Sequence, residues 1–592
     1  MRRLFTLLAL LLVVLTPAAP SAHQPVVRAA TLAGTAPTFG LNSHLATRYP
    51  DPSSMDLPAE LVADLEVGWV REDFHWHRVQ PRRDVWDWTF TDAAMRALLS
   101  RNIEVLGVLG PSVGWATPYP NDPANDVSYY APDLDYFVDY VRGVVSRYHV
   151  YIDHWEIWNE PDHAIFWRPE PDPQAYARML IRSAAVIKEV DPDATVLIGG
   201  INPFDTDFLQ AVVDAGAWQS FDILALHPYV DPYSPEDGNL IASANAVRGL
   251  AARYGPKPIW VTELGWASGP GDRDRRGLTD AEDQASYLVR AMLLLWEAGA
   301  ERIFWYSFKD DPGNPYGLLE YGKGRDDLRY LKPAFAALRT LNQQVAGAEF
   351  VTRYDLFDTS VLLDFEQIGG WLRMSQPNGS LSASSEQVQA GSGSARIVYN
   401  FTTSDNDYLV FERSRPLAIA GQPHALGLWV YGDGSGHRLK FWLRDSQGEV
   451  LQFELGPAGM SGWHLLTSTI GGEVAPGNRI SAGGNGRVDF PAGLTAIVVD
   501  DMNDRSQGSG TIYIDTMVAL SGTEAYDMRL RRDDEIIDIL WSPPGMAVLL
   551  ASEADQATVI ERDGRRSSRR PANGRLRFDI GPAPIYVRHQ AP

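Results

Sequence analysis

Residues 154–162 read HWEIWNEPD, an apolar run that stops abruptly at Asn159, Glu160 and Pro161. The run Ile152–Asn159 has the length and the residue types of a buried strand, and helical periodicity follows over Ala175–Val190. The same couplet recurs to either side. Upstream lie Phe39–Asn42, Gly68–Asp73 and Ile103–Leu109; downstream lie Thr195–Gly200, Asp222–His227, Pro258–Glu263 and Arg302–Phe308. Helical patterns fill the gaps, among them Leu134–Tyr148, Ala281–Ala298 and Pro333–Leu341. Eight strand–helix repeats within about 300 residues predict a (β/α)8 barrel. A doubly wound open sheet would want a glycine-rich phosphate loop after its first strand, and Phe39–Ser43 has none. The expected fold class is α/β: a (β/α)8 TIM barrel over residues 32–346, followed by all-β jelly-roll or sandwich domains.

Barrel chemistry is carried at the C-terminal ends of the strands. The fourth strand ends at Asn159 and Glu160; the seventh, within IWVTELGW at Ile259–Trp266, ends at Glu263. Strands four and seven face each other across the mouth of a barrel, so these carboxylates are opposed. Glycoside hydrolysis needs such a pair, one protonating the leaving oxygen while the other attacks the sugar or activates water. Glu156 has the strand parity of Glu160 and points into the barrel, as a buried structural partner for a residue such as Arg71.

WNEP at Trp158–Pro161 and TELGW at Thr262–Trp266 resemble the motifs of clan A of the glycoside hydrolases, retaining (β/α)8 enzymes. Within the clan the chain is most similar to glycoside hydrolase family 39, with family 5 a neighbour. That likeness rests on HPY at His227–Tyr229, FWYSF at Phe304–Phe308, and GLL followed by KPAF within Gly317–Phe335. It covers roughly Phe39–Leu341. The resemblance implies Glu160 as acid/base, Glu263 as nucleophile, and Asn159 as the partner of the 2-hydroxyl of the sugar being cleaved. It also implies His227 as a residue shaping the sugar subsite, while a satisfied core histidine is the other reading. Trp305 on strand eight reads either as the floor on which the sugar stacks or as core packing. Arg71 on strand two and Tyr229 on strand six match the donors the clan uses to keep the nucleophile ionised. Trp158 and Pro161 supply the apolar surroundings that would keep a proton on Glu160. Asn42, His44, Trp115, Trp167 and Trp266 are further rim candidates. Retention predicts a carboxyl separation of about 5–5.5 Å, inversion about 6.5–9.5 Å. No uronate pocket is marked, and the pocket loops that set the sugar leave iduronidase and xylosidase specificity unassigned.

Beyond Leu341 the texture changes to short alternating runs between Gly, Ser and Asn turns. Ala395–Phe401, Ala425–Tyr431, Arg438–Arg444 and Thr511–Val518 read as an antiparallel sandwich over 361–520. Two arrangements fit the remainder. In one, residues 347–360 pair with 521–592 as a small β-sandwich into which the module is inserted; in the other, three domains follow in series. The first is adopted as the expectation. The module's opening LLDFEQIGGW (Leu362–Trp371) and its late TIYIDTMVAL (Thr511–Leu520) resemble a carbohydrate-binding module of the jelly-roll type. That resemblance implies a structural calcium flanked by Glu366 and Asp515, and oxygen ligands suit such an ion. Trp429, Tyr431 and Trp442 serve either a sugar-binding face or the sandwich core.

At the N-terminus, Arg2 and Arg3 precede the apolar run Leu4–Leu15 and a small-residue zone ending at Ala22. This is a signal-peptide pattern over residues 1–22, too short to span a bilayer, so the expectation is a secreted, extracellular protein with no membrane insertion after cleavage. The absence of cysteine among 592 residues removes disulfides, thiol catalysis and thiolate metal sites. A net charge of −23 argues against nucleic acid as a partner. The expected partner is a polysaccharide or its oligosaccharides, and no cofactor is expected for catalysis. Two other functions use the same barrel: a non-catalytic polysaccharide-binding protein, and a transglycosylase sharing the glycosyl-enzyme intermediate.

Overall fold

The computed structural model describes residues 26–28, 38–120, 126–203, 206–236, 240–272, 277–355, 358–458, 463–501, 507–521 and 524–590. The run Leu4–Leu15, and with it the export signal, lies outside the described residues. Eight parallel strands form one sheet: β1 (Thr38–Asn42), β2 (Trp69–Phe74), β3 (Glu104–Leu109), β4 (His154–Asn159), β5 (Thr195–Gly200), β6 (Leu224–Leu226), β7 (Ile259–Leu264) and β8 (Ala300–Trp305). Their spatial order is β5-β4-β3-β2-β1-β8-β7-β6. Isolated parallel bridges Leu197–Ile223 and Ile201–Leu226 then join β5 to β6 and close the ring. The strands are mostly apolar because the sheet is covered on both faces; every residue of β7, charge-bearing Glu263 included, is buried. The TIM barrel followed by all-β domains is therefore the architecture of the chain.

The surrounding helices follow from periodicity and capping. Leu134–Tyr148 turns Phe137, Val138, Tyr140, Val141, Val144, Val145 and Tyr148 inward, the i, i+3, i+4, i+7 spacing of one face. Asp133 caps it by accepting from the backbone N–H groups of Asp135 and Tyr136. Such a cap contributes about 1 kcal/mol. Among the described residues, no helix is long and apolar enough to cross a membrane.

The C-terminal half holds two β-units. One has a sheet in which Gly508–Ser521 pairs with Asp358–Leu363, Ser394–Phe401 and Ala425–Tyr431. Facing it is a sheet ordered Tyr408–Ala418, Gly493–Asp500, Arg438–Arg444, Val450–Pro457. Phe411, Phe441, Leu428 and Ile514 are among the side chains that fill the space between. The other unit is a sheet built from distant pieces: Glu349–Asp355 pairs with Tyr526–Arg532, and the short strand Val26–Arg28 pairs with Glu349–Asp355 from the other side. Asp358 pairs with Ser521, so the sandwich enters and leaves this sheet at adjacent points.

This second unit shares its core with the barrel. Phe350, Met528, Ile537, Ile539, Trp541 and Tyr586 belong to the same apolar cluster as the barrel helices, and the Phe350 ring lies 5.9 Å from that of Trp296. Polar bonds fix the docking: the Trp541 indole donates to Glu236 at 2.9 Å, and Arg562 donates to the Ser286 hydroxyl at 2.5 Å.

Candidate active site

The C-terminal end of β4 is strained where it delivers its functional groups. Trp158 has φ 71° and Glu160 φ 47°, both left-handed. For side chains other than glycine this costs about 1–2 kcal/mol each. The turn is held by the Glu160 N–H donating to Gly200 O at 3.1 Å and the Trp158 indole donating to Phe166 O at 2.9 Å. The cost is met where the backbone must turn Glu160 toward the barrel axis.

Glu160 and Glu263 meet across a cleft of about 630 Å³ that both line. An oxygen of each, together with a ring nitrogen of His227, all lie within 4.8 Å of one another. His227 approaches Glu160 through Nδ1 at 2.8 Å and Thr262 Oγ1 through Nε2 at 3.0 Å. Burial disfavours a charged imidazole, but the carboxylates of Glu263 and Glu160 outweigh it and raise the His227 pKa. Glu263 is treated differently. Burial pushes its carboxyl upward, yet His227, Arg71 and His44, with the Tyr229 hydroxyl donating at 3.0 Å, pull it below its ordinary value.

Arg71 lies behind the cleft, 1% exposed. Its Nε and Nη2 hold Glu156 at 2.7 and 3.1 Å, Nη1 donates to Glu263 at 2.5 Å and Asn42 at 2.9 Å, and Nη2 also donates to Asn159 at 2.8 Å. A guanidinium has five N–H donors, and all are engaged by protein. Arg71 is therefore the donor to Glu263 that was expected and also positions Asn159, but it does not line the cleft, so a direct substrate-binding role for it is corrected. His227, also buried, acts on Glu160 in the same indirect way. Asn159 does line the cleft, and because its Oδ1 accepts from Arg71 its amide nitrogen is the group offered there. Tyr229 lines it too.

For Trp305 the structure replaces the expected sugar floor with core packing. As the last residue of β8 it has no exposed surface, its ring stacks on Trp266 at 6.1 Å, and its indole donates to Tyr316 O at 3.2 Å. The strand ends earlier than the expected Phe308, so Tyr306 is the residue that faces the cleft. Arg48 donates to the Tyr306 hydroxyl at 2.9 Å. The rim tryptophans Trp167 and Trp266 are likewise buried, and Asn42 is spent on Thr262 O and Trp305 O. The aromatic walls come instead from Tyr129, Phe166, Tyr229, Tyr306 and Tyr316.

Asp73, at the end of β2, was missed although strand-end logic points to it. It lines the cleft, contacts His44 Nδ1 at 2.6 Å and His75 Nε2 at 3.6 Å, and is held far below the usual carboxylate range. Burial opposes that shift, but the two imidazoles and Arg71 overcome it. His75 is in turn pushed down to about 4, chiefly by burial.

Among the described residues, Glu160, His227 and Glu263 are the group whose spacing would suit a metal ion. The fixed Arg71 cation bonded to Glu263 already supplies the positive charge such an ion would bring. In the sandwich, Glu366 accepts from Ser392 N and Oγ, both at 2.7 Å, while Asp515 accepts from Gln389 N at 2.9 Å and Ala390 N at 3.1 Å. The two carboxylates thus brace one loop, through hydrogen bonds to its backbone.

Residues 151–322, which run from β4 past β8 and include both glutamates, match the family model described as glycosyl hydrolase catalytic core. The second half of the barrel is thus similar to a glycosyl hydrolase catalytic core. No curated protein matches the chain. Among solved structures, a family 39 glycoside hydrolase from the gut symbiont Bacteroides cellulosilyticus WH2 aligns over 93% of this chain and 81% of its own. It has a TM-score of 0.51 and 17% identity. A glucosidase from Croceicoccus marinus covers 84% of this chain and 98% of its own at 15% identity, TM-score 0.43. A GH39 beta-xylosidase from Caulobacter crescentus covers 67% of this chain and 84% of its own at 19% identity, TM-score 0.39. At such identities the likeness to the Bacteroides enzyme is one of fold.

Proposed function

We propose that the barrel is a retaining β-glycoside hydrolase, exported from the cell, that cleaves a polysaccharide or its oligosaccharides by double displacement. The observation that carries this reading is the approach of Glu160 to Glu263 within 4.8 Å, with Glu263 bonded to Arg71 and Tyr229. So close an approach of the two carboxylates supports direct attack on the sugar over activation of a water held between them. Glu160 gives its proton to the leaving oxygen as a Glu263 oxygen bonds to the anomeric carbon and the glycosidic bond breaks. Glu160, now a carboxylate, takes a proton from water; the water oxygen bonds to the anomeric carbon and Glu263 leaves as carboxylate. Asn159 Nδ2 is placed to bond a hydroxyl of the reacting sugar.

The test is product release from a panel of polysaccharides and aryl β-glycosides, with Glu263→Gln alongside. Turnover of at least one substrate, falling at least about 10³-fold in the variant at unchanged melting temperature, is expected. Near-normal turnover by Glu263→Gln would sink the assignment. Azide should rescue Glu160→Ala on substrates with good leaving groups and yield a β-glycosyl azide.

The inserted sandwich is read as a carbohydrate-binding module. Supporting this, Tyr431 lies opposite Trp463 on one side and Tyr513 on the other, giving a row of half-exposed rings at centroid distances of 5.7 and 6.1 Å. Trp463→Ala should lower retention on insoluble polysaccharide while sparing soluble aryl glycosides. The calcium reading of Glu366 and Asp515 is a separate proposal, in which the ion would displace the N–H donors of the 389–393 loop. Added calcium should then raise the melting temperature and chelator reverse it; an unchanged melting curve rejects the site.

A further inference from the structure

Charge is unevenly placed along this acidic chain. The whole sequence has 52 Lys+Arg against 75 Asp+Glu, yet residues 561–579 hold seven arginines and three acids. Some of these arginines are spoken for: Arg562 bonds the barrel helix at Ser286, and Arg565 pairs with Asp563 at 2.7 Å. Arg569, Arg570, Arg575 and Arg577 instead line a surface groove of about 800 Å³ together with Leu549.

The groove follows from strand alternation. In Arg575–Ile580, Leu576, Phe578 and Ile580 are buried and Arg575 and Arg577 face out. Pairing with Met546–Ala551 sets Leu549 opposite Arg577 and Ala551 opposite Arg575, so an apolar side chain 61% exposed lies beside the cations. Arg569 is fixed against this strand, its guanidinium 4.9 Å from the Phe578 ring centre and donating to Arg577 O at 2.5 Å. Arg570 and Arg575 have no carboxylate partner among the described residues, and Arg577 reaches only the exposed Asp579 at 3.4 Å. Like charges gathered around one groove repel each other unless an anion is taken up. Guanidinium forks bind carboxylates bidentately, and alternate residues on a strand recur about every 7 Å, which offers a repeat of anion sites.

We propose that this groove binds an acidic polysaccharide, a linear glycan bearing carboxylates on its sugar rings, with Leu549 against the C–H face of a sugar. The proposal rests on the reading of the barrel as a polysaccharide hydrolase. Single-stranded nucleic acid is disfavoured because no aromatic side chain lines the groove for base stacking. The groove and the cleft belong to one chain, so glycan bound in the groove stays tethered to the barrel at raised local concentration.

The test compares the full-length protein with the Arg570→Glu/Arg575→Glu double variant. Both side chains are exposed, and melting curves check that the fold is kept. Polygalacturonate, neutral xylan and single-stranded DNA are titrated calorimetrically at low and high salt, and aryl β-glycoside turnover is followed in parallel. Polygalacturonate binding should weaken with salt and fall at least about tenfold in the variant, with aryl-glycoside turnover and any xylan binding unchanged. No binding by the unaltered protein, equal binding by the variant, an equal fall for xylan, or tighter binding of DNA would each overturn the groove. Binding with an inactive barrel would overturn the hydrolase reading alone, because affinity is read independently of turnover.

Discussion

Glu263 sits among groups that pull in opposite directions. Burial favours its neutral form, whereas His227, Arg71, His44 and the Tyr229 hydroxyl favour the carboxylate and prevail. A nucleophile must be ionised, so activity is lost as pH falls through its pKa. With that pKa below the ordinary 4.5, the acid limb of kcat/KM should lie below pH 4.5. Tyr229→Phe removes one of the groups that lower it; the pKa rises and the acid limb moves to higher pH. A hydrogen bond to a charged group is worth about 1.5–3 kcal/mol, so turnover at the optimum should also fall by about 10–100-fold. An acid limb that does not move under Tyr229→Phe would remove Glu263 from that role. Motif and strand-end position were enough to locate Glu160, Glu263, Asn159 and Tyr229 in sequence. They did not distinguish Trp305 from Tyr306, because adjacent strand residues face opposite ways and the choice turns on where β8 ends.

Neighbouring strands constrain one another where they open into the site. A Cβ added at Gly200, on β5, would meet His227 Nε2 at 2.0 Å. Gly200→Ala must therefore push the imidazole away from Glu160 and Thr262. A loss of kcat/KM of about 10-fold or more is expected, and it should add little to His227→Ala, since both act through one contact. Full additivity in that double-mutant comparison would separate Gly200 from the site. The helix Leu134–Tyr148 offers a contrast, because its apolar spacing reads directly from sequence, and Asp133 caps it. Asp133→Ala should lower stability by about 1 kcal/mol in denaturant melts without changing kcat. β6 was legible only as a longer run; it is reduced to Leu224–Leu226 because His227 leaves the sheet to serve the site. Local pattern reports burial, and it is silent on which buried residue has been recruited to chemistry.

Barrel and second β-unit share one apolar core, with Trp541 at the seam and fully buried. Trp541→Ala should destabilise the protein by about 3–5 kcal/mol and, if the units melt together, lower a single transition. The sandwich is a different matter, since its ends meet at Asp358 and Ser521. Replacing residues 358–521 by a short turn should leave aryl-glycoside turnover and the barrel's melting temperature near their original values. Composition and turn spacing made the sandwich legible in sequence. The strand Val26–Arg28 was not, because three residues carry no periodicity and gain their identity only from pairing with Glu349–Asp355. That sheet also has a consequence for biosynthesis. Glu349–Asp355 leaves the ribosome about 170 residues ahead of its partner Tyr526–Arg532. At roughly 5–20 residues per second the wait is of the order of 10–30 seconds. Throughout it the apolar surface that Met528, Ile537 and Trp541 cover in the finished protein lacks its cover, so a barrel folded in that interval displays an open seam.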